Sequence, residues 1–217
     1  MNNLKVKAIF YDLDNTLYPQ IIDVEQRIDF CVSYFELKDA SQVKSFWLNE
    51  WLDNGPTKTN IIDNVIKEFS LSITKHDLIH AYRNYNTSLT IEPEINNLLR
   101  YNRHQGIRQF LITNGNYETQ AQKIKELQLE TIMDEIFIAT GSHAKPSPFA
   151  FLSLLKKYNL QPHECMSVGD WYHVDGVASI SAGINFIHLE GGPISEVLPS
   201  KVTSISMLTK IVSFLGN

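Results

Sequence analysis

The residues of this sequence best equipped for chemistry are two aspartates one residue apart, with a hydroxyl two positions further on, in Asp12-Leu13-Asp14-Asn15-Thr16. They follow an apolar run, Val6 to Tyr11, that reads as a strand. In strand geometry residues i and i+2 share a face. The spacing therefore predicts two carboxylates held close together where the strand opens into a loop. Neighbouring carboxylates in a partly buried place repel each other and raise each other's pKa. Such a pair calls for a cation, a shared proton or a reaction. Taken alone, it reads equally well as a turn that satisfies its own backbone.

Three later segments carry polar groups in similar places. A strand over Ile107 to Ile112 runs into Thr113-Asn114-Gly115-Asn116, a strand over Glu135 to Ala139 precedes Lys145-Pro146, and a strand over Glu164 to Val168 ends in Gly169-Asp170, with Asp175 five residues on. Each is ordinary by itself. Asn-Gly is a common turn, a lone lysine is usually solvated, and Asp170 and Asp175 could cap a turn and a helix. Together they offer carboxylates, a hydroxyl and an amine, an inventory that suits a phosphoryl group with a divalent metal. Mg2+ prefers oxygen ligands, while phosphoryl oxygens accept from hydroxyls, backbone amides and ammonium groups. The turn at 113–116 leads into a helical pattern, so its first amides could face an anion.

The elements that must position these groups alternate. Helical patterns cover Glu94 to His104 (stopped by Gly106), Tyr117 to Leu129, Pro148 to Tyr158 and Asp175 to Ala182. A strand follows over Ile184 to Leu189, then a weak strand over Lys201 to Ile205 and a last helix over Met207 to Leu215. Strand and helix in alternation with short loops predict an α/β fold, a Rossmann-like doubly wound parallel sheet covered on both faces. Ligands bind such sheets beyond the carboxyl ends of the strands. Residues 20–90 differ. Their apolar stripes (Ile28, Cys31, Val32, Phe35; Val43, Phe46, Trp47, Trp51; Ile62, Val65, Ile66, Phe69; Leu78, Tyr82, Tyr85) all have helical spacing, with a capping box at Thr74 to Asp77 and a break at Asn54-Gly55-Pro56. The expected organisation is a core of residues 1–18 and 91–217 interrupted by an all-helical insert, 19–90.

Composition narrows the function classes. The chain has 217 residues, 43% hydrophobic and 20% charged, with formal net charge −5 and no long run of Lys or Arg. No nucleic acid polymer is expected as a partner. No stretch approaches the length of a membrane span and no apolar signal core opens the chain, so no membrane partner and a cytoplasmic location are expected. Cys31 and Cys165 make neither a metal spacing nor a disulfide framework, and Cys165 reads as packing. His76 and His80, four apart, read as a solvated helix face because no third ligand accompanies them.

The four segments together, in this order and over nearly the whole chain, resemble the haloacid dehalogenase superfamily of phosphohydrolases. The helical insert looks like the mobile cap of that superfamily's first cap class, and the wording Asp14-Asn-Thr-Leu-Tyr-Pro19 is similar to a branch that includes pyrimidine 5′-nucleotidases. The resemblance implies Asp12 as nucleophile and Asp14 as general acid and base, its pKa raised by the neighbouring carboxylate. It implies Mg2+ on the Asp12 side chain, the Asp14 carbonyl and Asp170, with Asp175 and Thr16 in support. Thr113, Asn114 and Lys145 would bind the substrate phosphate. Tyr18, Trp171 and His173 stand near enough to this chemistry to influence specificity, as does the insert, with hinges near Leu17 to Gln20 and Ser88 to Pro93. The expected substrate is a small phosphate monoester, a nucleotide or sugar phosphate, met by a monomer or homodimer. Alternatives are a phosphomutase on the same scaffold, a 2-haloacid dehalogenase and a phospho-accepting regulatory module. Asp14 argues against the last two, since halide departure needs no acid and a switch would be hydrolysed.

Overall fold

The computed structural model describes residues 6–55 and 59–216. Pro56 of the expected break and the first five residues lie outside them. At the centre is a six-stranded sheet, parallel throughout, in the order β3-β2-β1-β4-β5-β6. Its strands are β1 (Ala8–Tyr11), β2 (Arg108–Asn114), β3 (Glu135–Ala139), β4 (Cys165–Gly169), β5 (Asn185–Leu189) and β6 (Thr203–Ile205). The chain moves from β1 to one side through β2 and β3, then returns to the other side of β1 for β4. The seam between β1 and β4 is therefore the switch point where doubly wound sheets bind ligands.

β1 takes the middle because all four of its side chains are apolar enough to be buried on both faces. On one face Ala8 and Phe10 join Phe110 and Ile112 of β2 against α7 (Phe149–Tyr158) and α8 (Val177–Ser181). The Phe10 ring lies 4.9 Å from Phe110 and 5.4 Å from Phe151. Tyr11, pointing the other way, accepts a hydrogen bond from Asn102 of α5 (Pro93–His104) at 2.9 Å. Cys31 and Cys165 are buried free thiols, and burial pushes both up to about 12.

Three elements differ from the sequence pattern. The helix expected from Asp175 begins earlier, as a wide five-residue turn at Tyr172–Gly176 before α8, and Asp175 lies inside that turn. Helix α6 (Tyr117–Glu126) stops short of Leu129, because Gln128 takes a left-handed conformation before a short turn at Leu129–Thr131. The last helix is a tighter 3-10 turn, Leu208–Phe214.

The chain divides into two compact units, Met1–Pro19 with Thr90–Asn217, and Gln20–Leu89. The second holds α1 (Gln20–Tyr34), α2 (Ala40–Asn54), α3 (Ile61–Glu68) and α4 (Lys75–Asn84), around a core that includes Ile28, Val43, Trp47, Trp51, Val65 and Leu78. At its centre is Arg27, fully buried. Its Nε donates to Asp23 Oδ1 at 2.9 Å, and its Nη1 to the carbonyls of Tyr82, Arg83 and Tyr85 at 2.8, 3.1 and 3.0 Å. The last carbonyls of a helix have no partner within it, and a cation is favourable there. Arg27 thus closes the end of α4 while Asp23 balances its charge, and Thr87 donates to the same Asp23 oxygen at 2.9 Å. Arg27→Met should take the guanidinium charge away from that carboxylate and from three carbonyls, at a cost of roughly 3–5 kcal/mol. Amide exchange should then lose protection across residues 20–89 before the sheet; unchanged protection there would contradict this role for Arg27.

Candidate active site

β1 delivers Asp12 to the switch point, where the Asp12 amide donates to the Val168 carbonyl of β4 at 3.0 Å. β2 delivers Thr113 and Asn114. The Asn114 side chain clasps the loop after β3: its Nδ2 donates to the Lys145 carbonyl at 2.8 Å and its Oδ1 accepts from the Lys145 amide at 2.9 Å. Thus held, the Lys145 side chain runs inward, 2% exposed. Its ammonium donates to the Ile112 carbonyl at 2.7 Å and to Asp12 Oδ1 at 2.6 Å, and pairs with Asp175 Oδ1 at 2.6 Å. The wide turn after β4 is what brings Asp175 back to the strand end. There Asp175 Oδ2 accepts from the Trp171 amide at 3.2 Å. Gly169 leaves room for it, since a Cβ at that position would sit 2.6 Å from the Asp175 carboxyl.

Carboxylate oxygens of Asp12, Asp170 and Asp175, all buried, lie within 4.8 Å of one another. Burial pushes the Asp12 carboxyl up to about 7, against the pull of Lys145 and with help from the Asp175 and Asp14 charges. Burial, then Asp12 and Asp175, push Asp170 up to about 8. Burial alone would lower Lys145, but Asp12 and Asp175 outweigh it and hold the ammonium above the usual lysine range. Three buried carboxylates against one ammonium leave a deficit of positive charge. An oxygen-only, anionic donor set of this kind fits a hard divalent cation.

Asp14 stands in different surroundings. Its Oδ1 accepts from Tyr18 Oη at 2.5 Å and from Lys123 Nζ at 2.8 Å, and its Oδ2 from Gln120 Nε2 at 3.0 Å. Burial alone would raise this carboxyl. The Lys123 charge, with hydrogen bonds from Lys123, Tyr18 and Gln120, outweighs it and holds Asp14 below the usual carboxylate range. The expectation that a neighbouring carboxylate raises Asp14 is therefore corrected: the upward shifts fall on Asp12 and Asp170, because a second lysine serves Asp14.

Neither Lys123 nor Gln120 was singled out from the sequence. Both lie on the buried face of α6, three residues apart and in step with Ile124 and Leu127. Polar residues in an apolar stripe, on the helix that follows Thr113, were the available signal. Gln120 Nε2 also donates to Thr113 Oγ1 at 2.6 Å and to the Asn114 carbonyl at 2.9 Å. Thr113 is buried, and so is Thr16, whose hydroxyl has no hydrogen-bond partner among the described residues. Tyr18 is 2% exposed with its hydroxyl on Asp14, so it builds the site from within. Trp171 is half-buried and His173 exposed. No helix among the described residues is long and apolar enough to cross a membrane.

The model of the haloacid dehalogenase-like hydrolases matches residues 9–189. The chain belongs to that family. It is 26% identical to a glyceraldehyde 3-phosphate phosphatase of Pyrococcus furiosus, over 89% of this chain and 84% of that one. It is also 26% identical to an N-acylneuraminate-9-phosphatase of Rattus norvegicus, over 96% and 95% of the two. A superfamily hydrolase of Bacillus subtilis, solved with magnesium bound, shares the fold with TM-score 0.71 at 16% identity over 97% of this chain and 99% of that one. This chain is thus an enzyme of a family whose curated relatives are phosphatases by name.

The raised groups predict how stability follows pH in the metal-free protein. Asp12 and Asp170 bind protons more tightly folded than unfolded, so their contribution is complete below the ordinary carboxylate pKa. It is lost as pH rises through about 7 to 8. Asp14, lowered, contributes above the ordinary carboxylate pKa and loses that contribution as pH falls through its own value. Thermal unfolding in chelator should therefore show stability falling from about pH 5 to about pH 8 and levelling off above, and a divalent cation should remove most of that fall. A flat profile in chelator would contradict these surroundings.

Proposed function

We propose that the chain is a Mg2+-dependent phosphatase that hydrolyses a small phosphate monoester in two steps, through a phosphorylated Asp12. The observation that carries this reading is the separation of the two aspartates. Asp12 shares a lysine with a buried carboxylate cluster, whereas Asp14 has donors of its own. That division suits one carboxylate that attacks and one that handles protons.

In the first step a carboxylate oxygen of Asp12 attacks phosphorus and the bond to the leaving oxygen breaks. Lys145 steadies the attacking carboxylate and, with the Asn114 and Gly115 amides, receives the phosphoryl oxygens. Gln120 donates to Thr113 Oγ1, and the threonine hydroxyl, which makes a long contact of 3.5 Å to the Asn114 carbonyl, would turn its proton to a phosphoryl oxygen. Asp12, Asp170 and the Asp14 carbonyl would hold Mg2+, with Asp175 beside them, and the ion supplies positive charge to the phosphoryl oxygens.

Asp14 passes a proton to the leaving oxygen. Its resting contacts favour the anion, so that proton arrives with the substrate, as the monoanion of a monoester carries one. In the second step the same carboxylate takes a proton from water, whose oxygen attacks phosphorus and breaks the bond to Asp12, and Asp14 then passes that proton to the departing phosphate and returns to the anion.

The activities that name two of the relatives, on glyceraldehyde 3-phosphate and N-acylneuraminate 9-phosphate, support a small phosphorylated metabolite as substrate. Phosphate release should be screened over sugar phosphates, three-carbon phosphates and nucleotides, with Mg2+ and with chelator. Turnover should appear on members of one class, vanish in chelator and be nearly abolished by Asp12→Asn, while Lys145→Met should lower kcat/KM roughly 10²–10³-fold. Full activity in Asp12→Asn or in chelator would contradict the proposal.

A further inference from the structure

We infer that Glu196, far along the chain from the four site segments, is a positioning residue for the metal-binding carboxylates. The inference rests on the proposed reading that Asp170 and its neighbours hold Mg2+. The turn Tyr172–Gly176 that carries Asp175 is a single wide loop of chain. Like any helical start, it leaves its first amides without partners of its own. Glu196 supplies both partners. Its Oε2 accepts from the Tyr172 amide at 2.6 Å and its Oε1 from the His173 amide at 3.0 Å. Although glutamate usually lies in solvent, this side chain is 3% exposed. A carboxylate spanning two successive amides at such a start is favoured by their aligned dipoles as well as by the hydrogen bonds.

The same stretch of chain touches the other side of the carboxylate loop. His188 of β5 places Nε2 3.0 Å from the Asp170 carbonyl. At Gly192 the backbone comes so close that a Cβ would overlap the Asp170 carboxylate. Within the loop, the Asp175 amide donates to the Trp171 carbonyl at 2.7 Å, and Asp175 Oδ2 accepts from the Trp171 amide. Residues 170–176 are thus held by β4 at one end and by the segment 188–196 along their length. Glu196 fixes the start of the turn, and with it the direction in which Asp170 and Asp175 present their oxygens. Groups that orient metal ligands from behind typically affect metal affinity about 10–100-fold.

The test is calorimetric titration of the full-length chain with Mg2+, for the wild type, Glu196→Gln and Glu196→Ala, beside the thermal unfolding of each metal-free protein. Glu196→Ala should bind Mg2+ about ten-fold or more weakly, and its metal-free unfolding temperature should fall because two amides lose their acceptor. Glu196→Gln keeps one acceptor oxygen and should fall between. Turnover lost at low Mg2+ should return at high Mg2+. Wild-type Mg2+ affinity in either folded variant would overturn the inference, as would lost turnover that Mg2+ cannot restore. If Glu196→Ala does not fold, the glutamine variant decides by the same criterion. A wild-type chain that binds no Mg2+ would instead overturn the metal-site reading on which the inference stands.

Discussion

One ammonium group placed among three buried carboxylates is the constraint on which the rest of the site depends. Lys145 Nζ reaches Asp12 and Asp175 at 2.6 Å each, and Asp170 completes the cluster. Buried like charges are costly unless compensated, and a single lysine compensates only in part. Burial, together with that shortfall, pushes Asp12 up to about 7 and Asp170 up to about 8 in the metal-free protein. The shortfall is also what makes the site receptive to a divalent cation and to the anionic phosphoryl group that such a cation can accompany. Much of the surrounding chain serves to keep this arrangement in place: the Asn114 clasp on Lys145, the wide turn that returns Asp175, and the glycines at 169 and 192.

The second constraint is that Asp14 must not join that cluster. Only Leu13 separates it from Asp12, yet its oxygens are claimed by Tyr18, Lys123 and Gln120. Two aspartates so close in the chain are thereby given opposite shifts, upward for Asp12 and downward for Asp14. Paired carboxylates with separated proton affinities are a recurrent way for one site to hold two roles. Here the separation comes from burial at Asp12, which the lysine after β3 offsets only in part, and from the lysine on α6 with Tyr18 and Gln120 at Asp14.

The sheet was legible because its strands are short apolar runs with polar ends, alternating with helical stripes. The parallel order followed from that alternation. The helical unit was legible for the same reason, since its stripes, Tyr85 apart, lie in its core or pack against it. Other features were not readable, because they depend on which distant residues meet. The wide turn at Tyr172–Gly176 is set by contacts with Gly169, Glu196 and the Asp175 carboxyl, none of which has a local signature. The lowered pKa of Asp14 depends on Lys123, 109 positions away, which in the sequence is one charged residue of a helix with several. Arg27 likewise reads as a surface arginine until the end of α4 is seen to lie against it.

The central claim is that Asp12 becomes covalently phosphorylated during turnover. Rapid acid quench of the enzyme with a cleaved monoester and Mg2+, followed by mass spectrometry of its peptides, tests it directly. The account predicts a phosphoryl increment on the peptide that carries Asp12, removable by hydroxylamine and absent from Asp12→Asn. Steady turnover with no such increment on that peptide, or with the phosphoryl group on another residue, would contradict it.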